Sequence, residues 1–309
     1  MARDWRLYLV SVVSVLFLCY TYVVLASPGR TLPVMHTLHS IATETATRYV
    51  FVGDVHGMFD EFEQLMRDLN VDDGSTQVVL LGDFVSKGPD SVKTVDYLLE
   101  NTNSTRCILG NHELDVLFAH LNAHRLARHH PDPWVPLEFT TTQYVPDNSD
   151  VKSRDVTLAA ALGSDRLARL AQHCSAALEI RIPSRRGSHH ASHAYWAVHA
   201  GLAPDLMSPD TLDIGAITTM KYVNRHNHTQ TSKTKFRGST RWYKLWDPLD
   251  TDKTVVYGHD AKKGLNIRKN TRGLDSACAA GGKLTALELK PEANTYVERI
   301  HSVTCRQMI

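Results

Sequence analysis

The sequence predicts an α/β body, and three observations carry that prediction. An apolar, β-branched run followed by a glycine turn and an amphipathic helix occurs three times in succession; three more strand-like runs come later in the chain; and polar triplets rich in Asp, Asn and His stand where the runs end. Repeated strand–loop–helix units argue for parallel strands joined by right-handed crossovers. In such sheets sites form beyond the carboxyl ends of the strands, which is where the triplets lie.

Taken in order, the first segment differs in kind from the rest. Arg3 and Arg6 precede Leu7 to Ala26, twenty residues without a charge, long enough as a helix to cross the roughly 30 Å core of a bilayer. No polar face interrupts it. Residues 1–26 therefore read as an N-terminal transmembrane anchor, with removal as a secretory signal after "VLA" as the alternative. Two Arg before the span and only Arg30 soon after it favour a cytosolic N-terminus. The expectation is a single-pass membrane protein whose body is lumenal, in the vacuole or another secretory-pathway compartment, or a secreted protein after cleavage. Sequons at Asn103 and Asn227 agree with a lumenal, glycosylated body. Outside the anchor, Cys107, Cys174, Cys278 and Cys305 permit three pairings and single out none, and four buried free thiols are an equally good reading.

Residues 27–47, rich in Ser and Thr and without a sustained period, read as a linker. "RYVFVGD" then opens the folded body as a strand, and "MFDEFEQLMRDL" repeats apolar residues at helical spacing through Met58, Phe62, Leu65, Met66 and Leu69. "TQVVLLGD" with "PDSVKTVDYLLE" repeats the unit, Pro89 taking a first-turn position. "TRCILGN" with "HELDVLFAHL" is the third. From 123 to 190 the pattern changes to a His- and Arg-rich stretch followed by a helical one, and this reads as an insertion able to cap the site. The histidines at 124–130 have no carboxylate or cysteine partner at ligand spacing and read as surface. "YWAVHAGL", "KTVVYGHD" and "KLTALELK" are the later strands, and 291–309 remain as a C-terminal tail.

With 34 Lys+Arg against 33 Asp+Glu the net charge is +1, so no overall field points to a polyanion. Nucleic-acid binding is not expected, and any recognition of phosphate must be local. The strand ends offer Asp54, His56, Asp83, Asn111, His112, His199 and His259. Asp54 and His56 are two apart in extended chain and share a face. Carboxylate oxygen mixed with imidazole suits zinc, manganese or iron better than magnesium or calcium.

"GDVHG", "GDFVSKGPDS", "GNHE", "VHAGL" and "YGHD" stand in the order found in the calcineurin-like metallophosphoesterases. The sequence resembles that family, within it the group related to serine/threonine protein phosphatases, over residues 48–290. "GDFVSKGPDS" together with "GLDSACAAGGKLTALEL" is more similar to the diadenosine tetraphosphate hydrolase branch and, given an anchor, to the fungal vacuolar endopolyphosphatases within it. The resemblance implies a β-sandwich of mixed sheets flanked by helices. It also implies two divalent ions of the zinc, manganese, iron or cobalt kind. Asp54 and His56 would hold one, Asp83 would bridge to the second, and Asn111, His199 and His259 would complete it. Hydroxide generated at the metals would attack phosphorus in line. His112 and Asp83 are then the catalytic residues, His112 as general acid or as a donor to the phosphoryl group. Lys87 and Arg241 are nominated to face the phosphoryl oxygens.

The sequence departs from the protein-phosphatase pattern at one position. Where those enzymes carry an Asp that pairs with the catalytic His, this chain has Ser86, and Lys87 replaces the usual Arg. Asp115 or Glu113 could supply the missing carboxylate in space. A less supported general acid suits a phosphoanhydride, whose leaving group needs little help from a proton. The expected substrate is accordingly polyphosphate or a nucleoside polyphosphate. A serine/threonine protein phosphatase using the same site is the alternative. A catalytically silent binding module is the third reading, disfavoured because no expected ligand is missing. The sequence says nothing of the oligomeric state.

Overall fold

The computed structural model describes residues 12–15, 30–43, 47–128, 133–147, 150–183, 192–292 and 295–307. Residues 1–31 and 32–309 form separate units. In the first, residues 12–15 are helical and exposed; the rest of the apolar run 7–26 lies outside the described residues. Among the described residues no helix is long and apolar enough to cross a membrane.

In the second unit β1 (His36–Ala42) is followed by the three expected strand–helix units. These are β2 (Arg48–Val52) with α1 (Phe59–Leu69), β3 (Thr76–Leu80) with α2 (Ser91–Glu100), and β4 (Thr105–Cys107) with α3 (Asn111–Leu121). A short helix α4 (Ala123–Arg128), a ribbon of β5 (Leu137–Glu138) and β6 (Gln143–Tyr144), and the long α5 (Ser153–His173) come next. Then follow β7 (Ser175–Pro183), β8 (Ser192–Val198), α6 (Ile214–Thr219) and a small sheet of β9 (Tyr222–Asn224), β10 (Thr231–Ser232) and β11 (Ser239–Arg241). The chain closes with β12 (Lys253–Tyr257), β13 (Asn266–Ile267), β14 (Thr271–Gly273), β15 (Lys283–Glu292) and β16 (Thr295–Thr304).

Two mixed sheets result, one ordered β16-β15-β2-β3-β4 and the other β1-β7-β8-β12-β14-β13. β2, β3 and β4 are parallel, as the repeated units predict, while β15 joins β2 antiparallel. Alternation along the strands builds the two layers of core. Tyr49 and Phe51 of β2 face Ile180 and Tyr195 of the second sheet, and the Phe51 and Tyr195 rings lie 6.2 Å apart. Val50 and Val52 face the other way, into the cluster built with Phe62, Leu65, Val95 and Leu98 of the helices. Each such side chain taken out of water contributes about 1.5–3 kcal/mol.

Three expected boundaries are corrected. Part of the supposed linker 27–47 is β1, paired in parallel with β7 from His36 to Ala42. As an edge strand it buries Thr37 where an interior strand would bury an apolar residue, so it carries no hydrophobic alternation to read. Part of the supposed tail 291–309 is β16, an edge strand paired along the whole of β15 and largely accessible. Finally, 123–190 is more than an inserted cap: β7 lies between β1 and β8 in the six-stranded sheet, and α5 packs on α2 and α3, where Arg166 pairs with Asp96 at 2.6 Å.

The four body cysteines form two disulfides. Cys107–Cys174 joins the end of β4 to the residue before β7, and Cys278–Cys305 joins the loop after β14 to the residue after β16.

Candidate metal centre

The site is built on turns that leave the carboxyl ends of β2, β3, β4, β8 and β12. These turns brace one another through the backbone: the His56 N–H donates to the Asp83 carbonyl (2.8 Å), the Gly57 N–H to Phe84 (2.8 Å), and the Gly88 N–H back to His56 (2.7 Å). Among the described residues seven non-glycine positions have positive φ, and five of them are His56, Asp83, Ser86, Lys87 and His259. Such backbone costs of order 1–3 kcal/mol per residue and persists where surrounding structure enforces it, commonly at functional sites. Glycine makes the close approach: a Cβ at Gly258 would stand 2.0 Å from Asp54 Oδ1.

Asp83 is the centre of the arrangement. Its Oδ1 lies 3.2 Å from His199 Nε2, and its Oδ2 lies 3.6 Å from His56 Nε2 and 3.8 Å from His112 Nε2. Two groups able to hold a cation share it, His56–Asp83–His112 and Asp83–His199–His259, each with donor atoms within 4.8 Å of one another. Asp54 Oδ2 is 3.9 Å from His56 Nε2 and also accepts the His259 N–H. The folded chain thus gathers Asp54, His56, Asp83, His112, His199 and His259 from five strand ends into one pocket. Asn111 starts α3 beside His112.

The donors are set for metal. His56 Nδ1 donates to the Val85 carbonyl (3.1 Å) and His199 Nδ1 to the Leu81 carbonyl (2.8 Å), which turns both Nε2 atoms inward, as hydrogen bonds behind metal-binding histidines commonly do. Asn111 Oδ1 is buried with no hydrogen-bond partner among the described residues, and His259 Nδ1 sits 3.2 Å from His199 Nε2. Hard oxygen and imidazole nitrogen in this mixture fit zinc, manganese or iron.

Electrostatics follow from packing this charge out of water. Burial pushes the Asp83 carboxyl up, but His199 and His112 outweigh it and hold the group well below the usual range. Burial likewise lowers His199, yet Asp83 and Asp54 overcome it and push its pKa up to about 10. His56 is driven down to about 3, chiefly by burial and by the neighbouring Lys87 and His112. Lys87 Nζ stands 2.6 Å from His56 Nε2, so the nominated phosphate-binding lysine is at the centre. Arg241 is held elsewhere, its guanidinium 2.7 Å from Asp260 and stacked over the Tyr222 ring.

Two carboxylates escaped sequence reasoning. Neither Glu113 nor Asp115 stands in for the Asp absent at Ser86. Glu113 clamps backbone, accepting N–H groups of Asp83 (2.7 Å), Val85 (2.9 Å) and Gly110 (2.8 Å). Buried Asp155 of α5 instead faces Ser86, its Oδ1 3.5 Å from the hydroxyl, while His112 Nδ1 has no partner among the described residues. Asp275, at the end of β14, hydrogen-bonds to Asp54; burial and this second carboxyl hold Asp54 well above the usual range. The only signal for Asp275 was its place in "GLDS".

Comparison with known proteins agrees with this geometry. The chain is 39% identical over 279 residues to the zinc-dependent endopolyphosphatase of Saccharomyces cerevisiae, covering 86% of this chain and 83% of that one. It is 27% identical over 262 residues to the symmetrical bis(5'-nucleosyl)-tetraphosphatase of Neisseria gonorrhoeae, covering 80% and 94%. Its fold matches the crystal structure of a candidate diadenosine tetraphosphatase with a TM-score of 0.63 at 24% identity, over 87% of this chain and 98% of that one. The description "calcineurin-like phosphoesterase" attaches to a family model that matches residues 47–282, the stretch that carries every donor gathered around Asp83, and the chain belongs to that family.

Proposed function

We propose that this chain is a metal-dependent phosphohydrolase that cuts phosphoanhydride bonds, with inorganic polyphosphate as its principal substrate and nucleoside polyphosphates as the second class. The observation that carries the reading is the sharing of Asp83 between two buried donor groups at the strand ends, together with the extent of the likeness to an endopolyphosphatase. Asp54 and His56 would hold one ion, and Asn111, His199 and His259 the second, with Asp83 common to both. Divalent ions held there would set positive charge against the phosphoryl oxygens and make water acidic enough to react near neutral pH.

The chain's own groups do the rest. His112, beside Asp83, delivers the proton to the departing oxygen. Burial lowers its pKa despite the charge of Asp83, and no carboxylate hydrogen-bonds its Nδ1. Such an acid serves a phosphate leaving group better than a serine alkoxide, which ranks anhydrides above phosphoproteins. Lys87 supplies an ammonium at the phosphoryl oxygens.

Residues 7–26 are the membrane span of this reading, with the body lumenal. Two disulfides, which belong to oxidising compartments, and exposed sequon residues Asn103 and Asn227 support it. Protease protection and glycosidase-sensitive mobility of the protein in microsomes test the topology.

The activity is tested with purified protein and Zn²⁺, Mn²⁺ or Co²⁺. Shortening of long-chain polyphosphate to mid-length products is the expected result. Brisk release of phosphate from a phosphoserine peptide with polyphosphate left intact would reverse the ranking.

A further inference from the structure

Beside the metal centre, a cavity of about 600 Å³ opens between the turn at 86–92 and the first turns of α5. That size is within the roughly 300–1,000 Å³ common to small-molecule sites and exceeds what one phosphoryl group fills. Its walls carry two cations, Lys87 and Arg154, and the hydroxyls of Ser86, Ser91, Ser153 and Thr157. No carboxylate and no aromatic ring occurs among the described lining residues, so the space attracts anions and offers no stacking surface for a base.

The cavity and the centre are continuous through Lys87. Its side chain belongs to the cavity wall, and its Nζ reaches His56 Nε2 at 2.6 Å. Arg154 lies on the opposite wall with 54% of its side chain exposed, 3.7 Å from Asp155. A half-exposed guanidinium with only a loose ion pair is free to turn to a ligand.

We propose that this cavity holds the phosphate units that flank the one being cut, with Arg154 as their main partner through paired N–H···O contacts. This deepens the hydrolase reading above and rests on it. The ligand so selected is a linear chain of several phosphates; a compound with one phosphoryl group reaches the centre and leaves the cavity unused.

The test uses the full chain and the variants Arg154→Ala, Arg154→Lys and Thr157→Glu, with melting temperatures as the check on folding. Binding of end-labelled long-chain polyphosphate to EDTA-treated protein is measured by fluorescence anisotropy. With zinc restored, kcat/KM for polyphosphate is divided by that for p-nitrophenyl phosphate. Arg154→Ala should weaken binding about tenfold and lower the ratio about tenfold through KM, the loss of a paired charged contact screened by solvent at a half-exposed site. Arg154→Lys should fall between, since a point charge lacks the fork, and Thr157→Glu should weaken binding at least as much as the alanine variant. Unchanged binding and an unchanged ratio in all three would overturn the proposal. So would a fall in both activities by the same factor. Parent protein that binds polyphosphate through Arg154 yet cuts none would sink the hydrolase reading and leave the anion site standing.

Discussion

Asp83 is the residue on which the centre depends, because both donor groups include it. Replacing it with Asn should lower turnover of every phosphate substrate by more than about 100-fold, a loss larger than removing a group that only supports a ligand causes; steady-state assays on polyphosphate and p-nitrophenyl phosphate measure it. His112→Asn should cost an alkyl phosphoester on the order of 10²–10⁴-fold, the usual worth of a general acid, and a polyphosphate clearly less. Equal losses would show that leaving-group protonation does not distinguish the substrates. A third outcome concerns pH. Burial and the nearby Asp155 raise Asp115 to about 8. A carboxyl raised in the fold gives stability that is complete below its unfolded value near 4 and is lost as pH rises through about 8. Asp115→Asn deletes that term, so its melting temperature relative to the parent should climb across that window. The strand-end donors were legible because glycine turns after apolar runs mark them in the text. Asp155 and Asp275 were not, since what makes them part of the site is packing between segments far apart in sequence.

At the scale of elements, β2, β3 and β4 with their helices were readable because each buries a strong apolar face, Phe62, Leu65, Met66 and Leu69 of α1 among them. β1 and β16 were misread as linker and tail. Both lie at sheet edges, where one side of the ladder is open and polar residues are accepted, so neither shows the alternation that names a strand. The cysteines allowed three pairings, and only the fold brings the end of β4 beside Cys174. Converting Cys107 and Cys174 together to serine should lower unfolding free energy by about 2–4 kcal/mol, read from denaturant titration under oxidising conditions. Reductant, which also opens Cys278–Cys305, should cost the parent more than this and the variant only the share of that second bond.

For the molecule as a whole, a parallel α/β half was evident from the repeated units, whereas the pairing of two mixed sheets came through the resemblance alone. No periodicity in β7, β8 or β12 says which neighbour each takes. The near-neutral charge located phosphate recognition in a local site, and the cations around it, Lys87 and Arg154, come from the turn after β3 and from α5. Since the donors are brought together only in the folded body, ions bound there should stabilise it over the unfolded chain. Removing them with EDTA should lower the melting temperature, and zinc at about 100 times its dissociation constant should return roughly 2.7 kcal/mol. Asp83→Asn should respond to neither treatment as strongly as the parent.

The Cys278–Cys305 bond ties the far end of the chain to the loop three residues beyond Asp275, the carboxyl that contacts Asp54. A clip or truncation before residue 305 therefore does more than shed a few accessible residues. It unfastens a strap whose other end anchors the floor of the reaction chamber.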